Sequence, residues 1–268
     1  MGLQELLART PVLSYEEITA YLDRETSGNR RTRDALLWHY VSHGNLLRVR
    51  KGLFVAVPVG FKPETVPVDP LLIAAKATQD AVLAYHTALE FHGTAYSVFH
   101  EFRFLNPRPL RPFRFRSYAF KCTLHPKALR DKGKTDSGVK TVDREGVACR
   151  VTTPERTLVD VLDRPEHAGG WEEIWRSLGS VRFFDLDKVV EYALLLANAT
   201  TIAKVGYFLD QHRERLMVED SHLKPLREHR PKEPHYIERR SRREPRLIRD
   251  WNIVVPADLA DRTWEEPA

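Results

Sequence analysis

Basic side chains at the start of one helix and around one hairpin turn are the residues best suited to binding a phosphate or a guanine base. They are Arg30 and Arg31 in a helix predicted over residues 30–43, followed by Arg48, Arg50 and Lys51, and the polar Thr32 lies beside the two helix arginines. Arginine presents a planar fork of donors that matches phosphate oxygens and the guanine edge. This pattern favours a surface that contacts nucleic acid.

Helical spacing divides residues 30–43 into two faces. The packed face is predicted from apolar residues at steps of about 100° per residue, namely Leu36, Leu37, Tyr40 and Val41. The opposite face presents Arg31, Thr32, Ala35, Trp38, His39 and Ser42. Arg33 falls on the packed side, where it is expected to extend along the surface or contact backbone.

If this helix is the second of a helix-turn-helix pair, it lies in the major groove of DNA. Its exposed face is then predicted to contact the bases. We then expect Arg31 to read guanine, and Thr32 and Ala35 to meet a base edge or a thymine methyl. His39 shares this face. Phosphate or minor-groove contacts are expected from Arg30, Arg48, Arg50 and Lys51. The alternative is a fold of this type that uses the face only for protein contacts.

The first sixty residues predict three helices followed by a two-stranded hairpin. Ser14 and Glu17 form the sequence pattern of a capping box, which opens the second helix. Strands are predicted over 46–49 and 53–57. This layout predicts an N-terminal winged helix-turn-helix domain over residues 1–60.

The rest of the chain predicts a linker and a second, larger domain. Residues 61–70 are proline-rich and predict an extended linker. A mixed α/β C-terminal domain is predicted over 71–268, with strands before Thr153 and helices after it. The segment near 224–249 holds ten basic and four acidic residues and predicts a basic tail. The expected fold class is therefore α+β.

A second basic block lies between residues 100 and 134, which hold ten basic and two acidic residues. The members that alternate with aromatic residues are Arg103, Arg108, Arg111, Arg114, Arg116 and Lys121. On a strand, this alternation would bury the aromatic residues and leave the basic ones on one face. The face is interpreted either as a possible second nucleic-acid surface or as a solvated strand face.

The composition restricts the function classes. Hydrophobic residues make up 42% and charged residues 29%, with a net charge of +5, which is an ordinary globular balance. No run of about 18 apolar residues predicts a membrane span, and the N-terminus lacks the pattern of a secretory signal. Two cysteines are too few for a disulfide framework, so a cytoplasmic protein with no membrane partner is expected.

No pattern in the sequence predicts catalysis or a cofactor. Glycine-rich phosphate loops, dinucleotide fingerprints and nucleophile elbows are missing. Cys122, His125 and Cys149 have irregular spacing for zinc. Asp185 lies too close to the preceding Gly-Ser pair for a nucleotidyltransferase site and is expected to cap a helix. We therefore expect no enzyme activity, no metal and no cofactor.

Several short motifs resemble the AbiEi-type antitoxin family over most of residues 30–256. They are Gly44-Asn45-Leu46-Leu47-Arg48-Val49-Arg50-Lys51-Gly52-Leu53-Phe54-Val55, Asp69-Pro70-Leu71, Ala88-Leu89-Glu90-Phe91-His92-Gly93, Thr153-Pro154-Glu155-Arg156-Thr157-Leu158-Val159-Asp160 and Gly206-Tyr207-Phe208-Leu209. The resemblance implies a winged-helix domain joined to a larger α/β domain. It also implies a bacterial antitoxin of a type IV toxin–antitoxin system, which represses its own operon and antagonises a nucleotidyltransferase-type toxin.

A DNA-binding antitoxin and repressor is therefore the predicted function. Its expected partners are double-stranded DNA of its own promoter and a cognate nucleotidyltransferase-type toxin. Two alternatives stay open: an enzyme that acts on nucleic acid or a partner protein through the C-terminal domain, and a plain transcriptional regulator without a toxin. Arg156 and Asp160, one helical turn apart, are interpreted as a helix ion pair or as a toxin-facing or structural pair of the family.

Overall fold

The structure is a computed structural model that describes residues 3–25, 30–238 and 244–264. It mixes helices with strands, and its contacts divide the chain into two compact units. The first unit is formed by Met1–Leu83, Phe99–Thr123 and Lys140–Val151, and the second by Ala84–Val98, Leu124–Val139 and Thr152–Ala268. This division does not coincide with the predicted boundaries at 60 and 70, because the first unit also takes in strands from after residue 99.

Helices and strands alternate along most of the chain, and helices predominate after residue 153. In chain order they are α1 (Leu3–Arg9), β1 (Val12–Ser14), α2 (Tyr15–Glu25), α3 (Arg30–Ser42), β2 (Leu46–Arg50), β3 (Leu53–Ala56), α4 (Pro70–Ala75), β4 (Val82–Leu83), α5 (His86–Phe91), β5 (Glu101–Asn106), β6 (Phe113–Phe115), β7 (Tyr118–Leu124), α6 (Lys127–Asp131), β8 (Val139–Arg144), β9 (Val147–Thr152), α7 (Pro154–Asp163), α8 (Trp171–Gly179), α9 (Leu186–Leu196), α10 (Ala199–Gln211), α11 (Arg213–Leu216), α12 (Asp220–Glu228), β10 (His235–Tyr236), β11 (Arg246–Ile248), β12 (Ile253–Val255) and α13 (Ala257–Asp261).

A three-stranded antiparallel sheet with the order β1-β3-β2 packs with the first three helices in the first unit. Its core includes Leu13, Ile18, Leu46 and Phe54, which are all nearly or fully buried. Strand β1 was not expected from the sequence. It has three residues, and such a short strand immediately before a helix cap leaves too little alternation to be recognised.

The same unit holds a six-stranded sheet with the order β6-β7-β5-β4-β9-β8. Strands β4 and β9 pair in parallel, whereas β4 with β5 and β6 with β7 pair in antiparallel. Phe102 and Phe104 are buried, as the alternation in the second basic block predicts, and Phe120 is also buried. Phe113 and Phe115 are only half-buried on the outermost strand, because an edge strand has a neighbour on one side only.

The second unit is mainly helical, and α7 lies in its core. The Thr153 hydroxyl accepts a hydrogen bond from the Arg156 amide at 3.4 Å, so the predicted start of this helix is confirmed. Trp251 is fully buried, and a Cβ atom at Gly206 of α10 would lie 2.1 Å from its ring. Glycine at this position therefore permits the close approach of the indole.

Helix α12 extends into the segment near 224–249 that the sequence predicts as a basic tail. It covers Asp220–Glu228, with Pro225 inside it and Leu223 and Leu226 fully buried. Because a proline and charged residues surround these two leucines in the sequence, the apolar periodicity of the helix was not recognised. Residues 239–243 of the predicted tail lie outside the described part of the chain.

No helix in the described part of the chain has both the length and the apolar character needed to cross a membrane.

Candidate nucleic-acid interface

Helix α2 begins at a capping box, as the sequence predicts. The Ser14 hydroxyl accepts from the Glu17 amide at 3.1 Å, and the Glu17 carboxylate accepts from the Ser14 amide at 2.9 Å. Two of the donors left open at the helix start are thereby satisfied. The cap fixes where α2 begins after β1.

Two polar contacts attach α3 to α2. Arg33 donates to both carboxylate oxygens of Asp23, at 2.6 and 2.7 Å, and the Tyr15 hydroxyl donates to Asp34 Oδ1 at 2.7 Å. Arg33 therefore lies on the packed side, as predicted, although its partner is a carboxylate. These contacts set which face of α3 is left open.

The open face of α3 carries the predicted residues. Arg31, Thr32, Ala35 and His39 are all exposed. The side chain of Arg30, the first residue of the helix, lies outside the described part of the structure. The His39 ring packs on His43 with the ring centroids 3.9 Å apart.

Trp38 and Asp34 complete this face and were not among the predicted binding residues. Trp38 is 71% exposed, which is unusual for so large an apolar side chain. The helical spacing already places it beside Ala35, so the signal was present in the sequence. Asp34 is also exposed and adds a negative charge that the prediction did not consider.

Three basic residues lie at the end of β2 and in the turn that follows it, and two of them are exposed to solvent. Gly52 has φ +82°, a conformation that favours glycine, and its carbonyl accepts from the Tyr15 amide at 2.8 Å. Arg48 and Lys51 are exposed. Arg50 is half-buried, and its guanidinium carbon lies 5.1 Å from the centre of the Phe113 ring.

A groove of about 560 Å³ runs between α3 and this turn. Trp38, Leu37 and Phe54 give it apolar walls, and Arg48 and Lys51 add positive charge. Glu16 and Asp34 also line it. The groove can therefore hold an apolar group beside an anion, but acidic residues moderate its charge.

The second basic block contains fewer available charges than the sequence suggests. Arg103 and Lys121 both pair with Glu101, whose pKa is lowered because the hydrogen bonds from these cations outweigh the effect of its burial. Arg116 donates to the backbone carbonyls of Val66 at 2.6 Å and Pro63 at 2.8 Å. The remaining members, Arg108, Arg111 and Arg114, are exposed.

The residues considered above for catalysis or metal binding have contacts that indicate a role in the fold. Asp185 caps α9 by accepting from the Lys188 amide at 3.2 Å. Burial raises the pKa of the Cys149 thiol to about 11, which disfavours the reactive thiolate. Within residues 3–25, 30–238 and 244–264, no three histidine, cysteine or acidic side chains are grouped to hold a metal ion.

The Arg156–Asp160 pair is buried inside the second unit, which corrects the interpretation that it faces a toxin. The two side chains are 0% and 1% exposed, and Arg156 Nε lies 3.1 Å from Asp160 Oδ2. Arg156 also donates to the Thr135 and Ser137 carbonyls, and Tyr192 donates to Asp160. Burial opposes the charge of Arg156, but Asp160 outweighs it and raises the arginine pKa. The pair is structural.

No family model and no curated protein sequence matches this chain. Among solved structures, the fold is similar to the crystal structure of the RV2827C protein from Mycobacterium tuberculosis, with a TM-score of 0.59. The two chains are 16% identical over 94% of this chain and 89% of that one. At this level of identity, the likeness concerns the fold alone.

Proposed function

We propose that the protein binds double-stranded DNA through α3 and the β2–β3 turn, as a winged helix-turn-helix does. The observation that carries the proposal is that Arg31 on α3, Arg48 on β2 and Lys51 in the β2–β3 turn are all exposed. The element order α1-β1-α2-α3-β2-β3 and the sheet order β1-β3-β2 support it, since winged helix-turn-helix domains have this arrangement.

The residues divide into two roles under this proposal. Arg31, Thr32, Ala35 and His39 read base edges in the major groove, where the first turns of a recognition helix lie. Arg30, Arg48 and Lys51 bind phosphates, which position the protein without reading sequence. Arg50 has less freedom than these residues because Phe113 holds its guanidinium.

A titration with two DNA duplexes tests DNA binding. The labelled duplexes are the region upstream of the gene and a random sequence of equal length, each measured by fluorescence anisotropy at several salt concentrations. A specific repressor binds its own upstream DNA at least about 10³-fold more tightly, with a steep dependence on salt. Equal, weak binding to both duplexes would refute sequence-specific binding.

We further propose that the protein is an antitoxin that represses its own operon and antagonises a nucleotidyltransferase-type toxin. The support is the resemblance of its motifs to the AbiEi-type antitoxins. Expression of the neighbouring gene alone should arrest growth, and co-expression of this protein should restore it. No arrest by the neighbouring gene, or no rescue, would leave a regulator without a toxin.

A further inference from the structure

A cleft of about 530 Å³ lies within the first unit, beside the β2–β3 turn. Its volume falls in the range of about 300–1,000 Å³ that is typical of ligand pockets. Residues from the turn, from the segment after α4 and from β9 line it, and four of them are basic: Arg50, Lys51, Lys76 and Arg150. Lys76 and Arg150 lie far from Arg50 and Lys51 in the sequence, so no charge block predicted the cluster.

The basic residues of the cleft are held by the fold in different ways. Phe113 lies under the guanidinium of Arg50, and the buried Nη1 atom of this arginine has no hydrogen-bond partner among the described residues. Arg150 donates to the Asp80 carbonyl at 3.3 Å. Lys51 is exposed at the mouth of the cleft.

Two acidic residues, Glu16 and Glu17, also line the cleft. Both oxygens of the Glu17 carboxylate are occupied, since Oε2 accepts from the Ser14 amide and Oε1 pairs with Lys76. Glu16 is exposed and contributes a full negative charge. The four cations therefore exceed the two anions, and the cleft has a net positive charge suited to an anionic ligand.

The cleft and the α3 groove meet at the β2–β3 turn. Glu16, Lys51 and Gly52 line both of them, so an extended anion that follows the groove past the turn reaches the cleft. Phosphates repeat along a nucleic-acid strand and are bound most effectively by arginine and lysine. A nucleic-acid strand thus matches both the charge and the continuity of the surface.

We propose that this cleft binds a phosphate group and that the DNA backbone supplies it, with Arg50, Lys51, Lys76 and Arg150 as the contacts. The source of the phosphate depends on the proposed DNA binding, whereas the chemistry of the cleft does not. The DNA footprint then extends beyond α3 and the turn to residues that follow α4 and to β9.

The test compares Arg150→Gln and the double variant Lys76→Gln/Arg150→Gln with wild type on a random-sequence duplex at several salt concentrations. Glutamine at position 76 keeps a donor for Glu17. The matched control is Lys140→Gln, which removes an exposed cation of the same unit outside the cleft. Arg150→Lys keeps the charge and shows whether a loss reflects charge or disturbed folding. Calorimetric titration with inorganic pyrophosphate measures the cleft without DNA.

Each lost phosphate contact should make the slope of log K against log salt concentration less negative by about 0.9. We expect this change for Arg150→Gln and a larger change for the double variant. The slope should stay at the wild-type value for Lys140→Gln and for Arg150→Lys. If duplex binding is unchanged but pyrophosphate binding falls several-fold, the cleft binds phosphate, and its ligand is a free anion and not the DNA backbone. No change in either titration would overturn the proposal. If wild type binds no duplex, the proposed function fails, and the pyrophosphate titration alone decides whether the cleft binds phosphate.

Discussion

Two arginines, Arg31 on α3 and Arg156 on α7, show how differently the two units use the same side chain. Arg31 is exposed on α3. Arg156 is fully buried and bonds one carboxylate and two backbone carbonyls. Exposed charges contribute little to folding, whereas a buried charge must be paired and hydrogen-bonded. The first arginine is therefore available for a partner, and the second serves the fold.

The largest expected effect comes from removing the partner of the buried arginine. Asp160→Ala leaves Arg156 uncompensated in the core, so the free energy of unfolding should fall by about 3–5 kcal/mol. Urea unfolding followed by tryptophan fluorescence measures it. The control Asp187→Ala removes a 94% exposed carboxylate from the first turn of α9 and should cost about 1 kcal/mol or less. Equal losses in both variants would contradict a special role for the buried pair.

A glycine pair tests how tightly the chain surrounds Arg156. Gly138 and Gly133 share φ +64°, but a Cβ atom at Gly138 would lie 2.8 Å from Arg156 Cβ, whereas Gly133 faces open space. Both alanine variants bear the cost of a left-handed backbone, about 1–2 kcal/mol. Gly138→Ala should lose roughly 1–3 kcal/mol more because of the clash. Thermal and urea unfolding measure the stability of the two variants. Equal losses of unfolding free energy in both would refute the close packing of Gly138 against Arg156.

A substitution in the β2–β3 turn tests whether exposed basic side chains bind DNA and contribute little to folding. Lys51→Ala should weaken binding to the upstream and random duplexes alike and make the salt slope less negative by about one unit. Its unfolding free energy should stay within about 0.5 kcal/mol of wild type, because the lysine is exposed. Arg182→Ala, which removes an exposed arginine of the second unit, is the control for charge alone. A loss confined to the upstream duplex would contradict the assignment of Lys51 to phosphate.

Substitution of Glu173 in the second unit should have a smaller effect on stability, and that effect should depend on pH. Burial would raise its pKa, but hydrogen bonds from Ser97, His86 and Ser177 outweigh burial and lower the pKa from 4.5. A lowered pKa means that the carboxylate stabilises the fold fully above pH 4.5, and that this contribution is lost as the pH falls through the lowered value. Glu173→Gln should therefore be less stable at neutral pH and lose less stability on acidification. Parallel pH profiles for variant and wild type would show that Glu173 does not contribute in this way.

Local features were predictable from the sequence, whereas features that depend on distant pairing were not. The caps at Ser14 and Thr153 and the exposed face of α3 follow from residues within a few positions of each other. The neutralisation of Lys121 by Glu101 depends on the pairing of β7 with β5, whereas Arg103 lies two residues from Glu101 on the same strand. The cluster of Lys76 with Arg150 depends on the six-stranded sheet, which local periodicity does not specify.

The most direct test of the central claim is a comparison of wild type and Arg31→Ala on the upstream and random duplexes at one salt concentration. If α3 reads bases through Arg31, the variant should lose about 1–3 kcal/mol of binding free energy on the upstream duplex and much less on the random one. The ratio of the two affinities would then fall by roughly one to two orders of magnitude. An unchanged ratio, with both affinities reduced equally, would contradict base reading by Arg31.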